Sequence, residues 1–189
     1  MSLEEKVNLV EAVFLKLDDE ISSFQSWSSL HCKIGCGKCC FKPDIEATIL
    51  EFLPFAYHLY HQHKAEEWLT KLTIGDVSIC PILNPTQSGI GLCAQYNHRG
   101  LICRLFGFSA RTNKYEQPEL VTCQIIKVEQ KESYEAADKR IKEGAVIPIM
   151  NQYYMQLHAV DFELTNRFYP IRVAIQKAIE TVIHYYAYR

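Results

Sequence analysis

Four of the eight cysteines in this chain fall within nine positions, and this concentration of thiols constrains the fold more than any other feature. The segment from position 31 to 41 reads H-C-K-I-G-C-G-K-C-C-F, so its cysteines follow the pattern C-x3-C-x2-C-C. Thiolates separated by two or three residues on a glycine-containing turn can face one metal ion, because Zn–S bonds are only about 2.3 Å long. The same spacing also suits the irons of an iron–sulfur cluster. The segment therefore predicts a thiolate-bound metal and leaves the choice between zinc and iron open.

Reduced core cysteines and a disulfide framework are the two alternatives for these thiols. An isolated cysteine is usually a small buried hydrophobe, but packing does not explain four of them in one short loop. Disulfide frameworks belong to exported proteins, and the first residues, M-S-L-E-E-K-V, lack the basic start and apolar run of a signal peptide. No window approaches the roughly 18 apolar residues of a membrane span. We therefore expect a cytoplasmic protein with no membrane partner and with reduced, metal-binding cysteines.

The adjacent pair Cys39 and Cys40 calls for a separate argument. In an extended backbone, neighbouring side chains point to opposite sides. The two sulfurs are then expected to serve two sites, or one sulfur binds metal while the other packs as a small hydrophobe. Cys36 and Cys39, with two residues between them, are expected to bind the same metal. Eight thiolates would complete two four-cysteine zinc sites, or one four-iron cluster with four thiols to spare.

Length and composition predict a single domain spanning residues 1–189. Hydrophobic residues make up 48% of the chain and charged residues 22%, so a core of normal size can be buried. The formal net charge of -2 gives no reason to expect a nucleic-acid partner. Within the domain, residues 32–123 are expected to form a cysteine-cluster core between helical segments at 1–30 and 131–189. No protein partner is indicated.

Apolar residues at helical spacing predict a mainly α-helical fold around a small, irregular, cysteine-rich centre, with a short hairpin from runs at 79–84 and 89–96. One stripe predicts a helix that ends near Ser28, and its members are Leu3, Val7, Val10, Phe14, Leu17, Ile21 and Phe24. A second stripe predicts a helix whose first turn contains Pro170, and its members are Ile171, Ile175, Ile179, Val182 and Tyr186. A helix is expected to start at Pro43 and Asp44 and to kink or end at Pro54. Further helical segments are expected from Lys64 to Lys71, from about Pro118 onward, from Lys131 to Glu143 and from Ile149 to Leu164.

The cysteine pattern and three later motifs resemble the YkgJ-type cysteine-cluster family, described as a zinc- or iron-chelating domain. The later motifs are C-P-I-L-N at 80–84, G-L-C-A-Q-Y at 91–96 and H-R-G-L-I-C-R at 98–104. The resemblance runs from about Cys32 to Cys123. It implies metal binding by all eight cysteines: Cys32, Cys36, Cys39, Cys40, Cys80, Cys93, Cys103 and Cys123. Two departures stand out, because the first gap is three residues where the family has two, and Gly100 replaces a usual proline.

Histidines and arginines near the cysteines are secondary candidates. His31 and His98 would be spare ligands, although a surface or supporting role is the commoner one for such residues. The bunched His58, His61 and His63 are interpreted as surface residues. The late aromatic residues are interpreted as a helix-packing core or a self-association face: Tyr153, Tyr154, Phe168, Tyr169, Tyr185, Tyr186 and Tyr188. Arg99 and Arg104 would offset the charge of metal-bound thiolates or pair with acids, with equal weight given to each role.

The sequence favours a metal-binding protein over an enzyme. It contains no G-x-G-x-x-G, Walker or H-E-x-x-H motif, and no Ser-His-Asp trio can be assigned. The enzymatic alternative is a metal- or iron–sulfur-dependent protein, such as an oxidoreductase. Flagellin lysine N-methylases share this kind of cysteine module, so a lysine methylase-like protein is a second form of that alternative. No recognisable S-adenosylmethionine loop supports it here.

Overall fold

The structure is a computed structural model, and it describes residues 1–42, 44–74, 79–87 and 90–188. Eight α-helices and three two-stranded antiparallel sheets lie in this part of the chain. The helices are α1 (Leu3–Ser28), α2 (Leu53–His61), α3 (Ala65–Ile74), α4 (Leu101–Leu105), α5 (Gln124–Glu129), α6 (Lys131–Lys142), α7 (Met150–Val160) and α8 (Ile171–Ala187). The strands are β1 (Glu46–Ala47), β2 (Leu83–Gln87), β3 (Ile90–Cys93), β4 (Ser109–Thr112), β5 (Pro118–Val121) and β6 (Tyr169–Pro170). The mainly α-helical fold class is confirmed.

The chain divides into two compact units, and each is described by itself. The first unit, called the cysteine-loop unit here, consists of Met1–Glu11, Gly35–Gly100 and Leu157–Arg189. The second, called the α6 unit, consists of Ala12–Ile34 and Leu101–Gln156. Within the described residues, no helix is both long enough and apolar enough to cross a bilayer.

Helix α8 forms the centre of the cysteine-loop unit, where α2 and α3 pack against it. Its buried residues recur at helical spacing, as the sequence predicts: Ile171, Ala174, Ile175, Ala178, Ile179 and Val182. Tyr186, the last member of the predicted stripe, is only half-buried. The short β1–β6 pair leads into α8, and the Ile171 N–H donates to the Ile45 carbonyl at 2.9 Å. The start of the helix is therefore tied to the segment that follows the cysteines.

The α6 unit packs α6 against β5 of the β4–β5 hairpin. Its core joins the end of α1 to the hairpin and to α5 and α6. The buried members of this core are Phe24, Leu30, Ala110, Leu120, Ile126, Ala137, Ile141 and Ile147. The hairpin was missed from sequence, where the chain from about Pro118 was expected to be helical. Each strand has only four residues, too few for a two-residue period to stand out, and α5 begins only at Gln124.

The segment after the cysteine loop differs from its prediction. Pro43, the expected helix start, lies outside the described residues, and Asp44 is part of a turn. Helix α2 begins only at Leu53, so Pro54 occupies its first turn. Proline is tolerated there because the N–H that it lacks would have no partner within the helix. The predicted kink or stop at Pro54 was therefore wrong, whereas the hairpin was correctly predicted as β2–β3, although its turn residues Ser88 and Gly89 are not described.

Gly100 is required by packing against an aromatic ring. A Cβ atom at this position would lie 2.7 Å from Cζ of Phe52, closer than any real contact allows. Phe52 is fully buried, so its ring has little room to move away. Gly100 thus lets the backbone before α4 lie directly against the core of the cysteine-loop unit.

We predict that Gly100→Ala lowers the free energy of unfolding by about 1–3 kcal/mol, the usual range for overpacking a core. Phe52→Leu, which shortens the facing side chain, should partly relieve this loss when the two changes are combined. Denaturant unfolding of both single variants and the double variant tests the coupling. Strictly additive losses would show that the two residues do not clash.

Candidate metal centre

The cysteine loop, defined here as Gly35–Lys42, is built on two left-handed glycines and a 3₁₀ turn. Gly35 and Gly37 have φ angles of +73° and +56°, which side-chain-bearing residues rarely adopt. The turn that follows spans Lys38–Phe41, and the Cys40 N–H donates to the Gly37 carbonyl at 2.8 Å. The glycines therefore bend the chain so that the last two cysteines of the cluster enter one tight turn.

Backbone contacts hold this loop on two other segments of the same unit. The Gly91 N–H of β3 donates to the Gly35 carbonyl at 3.3 Å. At Gly37, a Cβ atom would lie 2.5 Å from the Gly91 carbonyl oxygen, so the two glycines meet backbone to backbone. The Cys80 N–H donates to the Cys40 carbonyl at 2.8 Å. These contacts bring the cysteine loop together with the C-P-I-L segment and with β3, which ends at Cys93.

Three cysteine side chains are neighbours where these segments converge. The Sγ atoms of Cys39 and Cys40 are 3.9 Å apart, and the Cys40 side chain also hydrogen-bonds with that of Cys80. The expectation that Cys39 and Cys40 point to opposite sides was wrong, because they lie in a 3₁₀ turn and not in extended chain. With three residues per turn, neighbouring side chains diverge by about 120°, which leaves their sulfurs within contact.

Backbone N–H groups point at several of the sulfurs. In each case the donor follows its cysteine by two or three residues, in the turn that the cysteine begins. The pairs are Cys80 with Ile82 and Leu83, Cys93 with Gln95, and Cys123 with Ile126 at 3.4 Å. Hydrogen bonds to a sulfur stabilise its negative charge, and metal-binding thiolates commonly receive them. Sequence inspection missed these donors, since backbone groups leave no residue-type signal.

These contacts shift the pKa values of the cysteines in different directions. The hydrogen bond from Cys40 lowers the pKa of Cys39 to about 6, with help from the nearby Arg99 charge. The pKa of Cys80 is also lowered, by the Cys40 hydrogen bond first and then by the backbone donors. The same bonds raise the pKa of Cys40, which keeps its proton, and burial raises the pKa of Cys93. Cys40 thus favours the thiol form beside two cysteines whose pKa values are lowered.

The remaining predicted ligands lie in different surroundings. Cys36 is half-buried within the cysteine loop. Of the three in the α6 unit, Cys32 is exposed, Cys103 is half-buried in α4, and Cys123 begins α5 and packs against the core. Across the described parts of the chain, no three cysteine, histidine, aspartate or glutamate side chains lie close enough together to hold an ion as they stand.

The two arginine candidates have different neighbours. Arg104 is buried, pairs with Asp18 and lies over the Phe14 ring at 4.7 Å, which is the acid-pairing role. Arg99 lies 3.7 Å above the Tyr96 ring. Its charge contributes to the lowered pKa of Cys39 and opposes the burial that raises the pKa of Cys93.

The histidine candidates are each held by local contacts. His31 in the α6 unit has its Nδ1 3.2 Å from the Ser29 carbonyl, and its main chain is hydrogen-bonded to Gln130. His98 stacks on His58, with ring centroids 4.2 Å apart. His61 and His63 are exposed, as expected, whereas His58 is half-buried by this stacking.

A family model described as "CxxCxxCC: Putative zinc- or iron-chelating domain" matches residues 31–139, more than half of the chain. The chain belongs to this family. The predicted membership of a cysteine-cluster family is thereby confirmed. No curated protein and no solved structure matches the chain. The family match covers all eight cysteines, including the loop, hairpin and helix starts described above.

We predict that Gly37→Ala disrupts the centre more than Gly35→Ala. Both substitutions place a side chain in the left-handed region, which costs roughly 1–2 kcal/mol. At Gly35 the added Cβ would meet only a side-chain atom of Leu92, at 4.0 Å, whereas at Gly37 it would collide with the Gly91 backbone. Gly37→Ala should therefore lose about 1 kcal/mol or more of unfolding free energy beyond its matched control.

Denaturant unfolding of the two glycine variants gives this difference directly. Hydrogen exchange at the Cys40 and Cys80 amides should accelerate in Gly37→Ala, because the displaced loop breaks both of their bonds. Equal stability of the two variants would mean that the contact between Gly37 and Gly91 does not hold the loop.

Proposed function

We propose that this protein chelates a single zinc or iron ion through the thiolates of Cys39, Cys40, Cys80 and Cys93. The observation that carries the proposal is the 3.9 Å between the Cys39 and Cys40 sulfurs. Four thiolates around one ion, with Zn–S bonds of about 2.3 Å, stand at the corners of a tetrahedron with edges of about 3.8 Å. Two neighbouring cysteines thus already have the separation of two ligands of one ion.

The same distance favours one ion over an iron–sulfur cluster. In a four-iron cluster each thiolate binds a different iron, so the sulfurs stand farther apart than the edge of one tetrahedron. Cys80 adds a third sulfur beside Cys40, and Cys93 lies at the end of the strand on which the loop rests. Because no three ligands already stand together in the described residues, binding of one ion would require side-chain rotation to direct these sulfurs at one point.

The charges around the four cysteines support a closed, fully ligated site. A divalent ion with four thiolates has a formal charge of -2, which backbone N–H groups and Arg99 would offset. A closed site of four cysteines is typical of structural or metal-handling proteins, whereas a catalytic ion keeps an open position. We therefore favour metal binding over an enzymatic role, in a reducing compartment such as the cytoplasm.

We predict that the reduced protein binds one equivalent of zinc or iron without acid-labile sulfide, and that serine at Cys39, Cys40, Cys80 or Cys93 lowers metal affinity at least tenfold. Each substitution removes one soft ligand from a four-ligand site. Competition titrations with Co²⁺ and Zn²⁺ measure the change. Four irons with matching sulfide would instead support the cluster alternative.

Serine variants of the other four cysteines complete this scan. Cys32→Ser, at an exposed position in the α6 unit, is the matched control and should retain wild-type affinity. Cys36→Ser tests whether Cys36 and Cys39 act as a pair, as the sequence predicts. A second equivalent of metal that is lost in Cys32→Ser, Cys103→Ser or Cys123→Ser would assign those cysteines to another site. Wild-type affinity in all four core variants would refute the proposed ligand set.

We also predict that metal removal loosens the centre and leaves α8 unchanged. The cysteine loop is held by a few backbone bonds, whereas α8 has a continuous buried face. A ligand at 100 times its dissociation constant stabilises the folded state by about 2.7 kcal/mol, equivalent to about 100-fold slower exchange. Hydrogen exchange of apo and loaded protein should differ at residues 38–42 and 80–94. Equal protection there in both states would show that no ion holds these segments together.

A further inference from the structure

Cys40 and Cys80 are joined by their backbones as well as their side chains. The Cys80 N–H donates to the Cys40 carbonyl at 2.8 Å. Standard bond lengths then limit the separation of the two Cα atoms to about 6.7 Å at most. Disulfide-bonded cysteines usually have Cα atoms about 4.4 to 6.8 Å apart, so the main-chain separation of this pair lies within that range. Their side chains are also neighbours, and each shifts the pKa of the other.

The adjacent cysteine is a poorer partner. Consecutive Cα atoms across a trans peptide are about 3.8 Å apart, below the range for unstrained disulfides. A Cys39–Cys40 bond is therefore disfavoured although the two sulfurs are 3.9 Å apart. The Cα separations therefore favour Cys80 over Cys39 as the disulfide partner of Cys40.

We propose that Cys40 and Cys80 form a reversible disulfide, with a hydroperoxide as the oxidant and a small dithiol as the reductant. Cys40 is half-buried and Cys80 is only 6% exposed, so the oxidant reaches Cys40 first. Cys40 gives up its proton, its sulfur attacks one peroxide oxygen, and the O–O bond breaks. The departing hydroxide takes up that proton as water, and Cys40 becomes a sulfenic acid. The Cys80 sulfur then attacks the Cys40 sulfur, the S–S bond forms, and the S–O bond breaks with release of water.

The reaction balances without another reactant. Two thiols lose two electrons and two protons, and hydrogen peroxide gains them to become two water molecules. A dithiol such as dithiothreitol reverses the step by thiol–disulfide exchange. Formation of the bond removes two of the four proposed metal ligands, so oxidation would release the ion. That release rests on the function proposed above, whereas the disulfide itself does not.

The test oxidises the reduced, metal-free chain with one equivalent of hydrogen peroxide and maps disulfides by mass spectrometry without reduction. We expect the thiol titre to fall from the eight cysteines of the chain to six, with one bond between Cys40 and Cys80. Fragment ions that separate Cys39 from Cys40, and Cys80 from Cys93, assign the bond in the unmodified protein. A dominant Cys39–Cys40 bond, or oxidation without a Cys40–Cys80 bond, would overturn the proposal.

Serine variants provide the matched comparison. Cys39→Ser and Cys93→Ser should retain the bond, whereas Cys40→Ser and Cys80→Ser should lose it and keep a titre near seven thiols. Zinc-loaded protein treated in the same way should release its zinc as the Cys40–Cys80 bond forms, and the two measurements separate the two proposals. Disulfide formation in a chain that never binds zinc or iron would refute the metal site alone. Metal binding without the Cys40–Cys80 bond would refute only the redox pair.

Discussion

The backbone contact between the cysteine loop and the segments around Cys80 and β3 is the constraint on which the candidate centre depends. Cysteines that are distant in sequence approach one another here because main-chain groups are hydrogen-bonded first, from Cys80 to Cys40 and from Gly91 to Gly35. Side-chain sulfurs contribute little attraction of their own without a metal. The loop can lie this close to β3 only because Gly37 and Gly91 have no side chains. Two glycines are thus as necessary to the site as the cysteines.

The long helices were predictable because their packing follows a simple period. The α1 stripe from Leu3 to Phe24 and the α8 face from Ile171 to Val182 are buried as expected, and α1 ends at Ser28. Apolar burial over many turns overrides local preferences, so such segments can be identified without tertiary information. The hairpin β2–β3 was also found, since apolar runs flank its turn residues.

The arrangement of the centre was less predictable, because it depends on the tertiary partners of short segments. The side on which Cys40 lies follows from the 3₁₀ turn that Gly37 begins, and spacing alone suggested an extended chain. From sequence, Arg104 was an equal candidate for a thiolate and for an acid, and its acid is Asp18, in another helix. The backbone N–H groups that face the sulfurs also cannot be recognised from any residue type. Cysteine spacing therefore indicated the chemistry of the centre but not which sulfurs meet.

A centre of this kind brings negative charge together before any ion is present. The pKa values of Cys39 and Cys80 are lowered, whereas that of Cys40, which lies beside both, is raised. Because metal-binding cysteines must be deprotonated, binding of an ion would displace the proton of Cys40. In the proposed site, a divalent ion would neutralise more charge than a proton and would bind Cys93 as well. The crowding of sulfurs that disfavours an empty centre would then favour a loaded one, while the backbone bonds of the loop hold Cys40 and Cys80 on neighbouring segments.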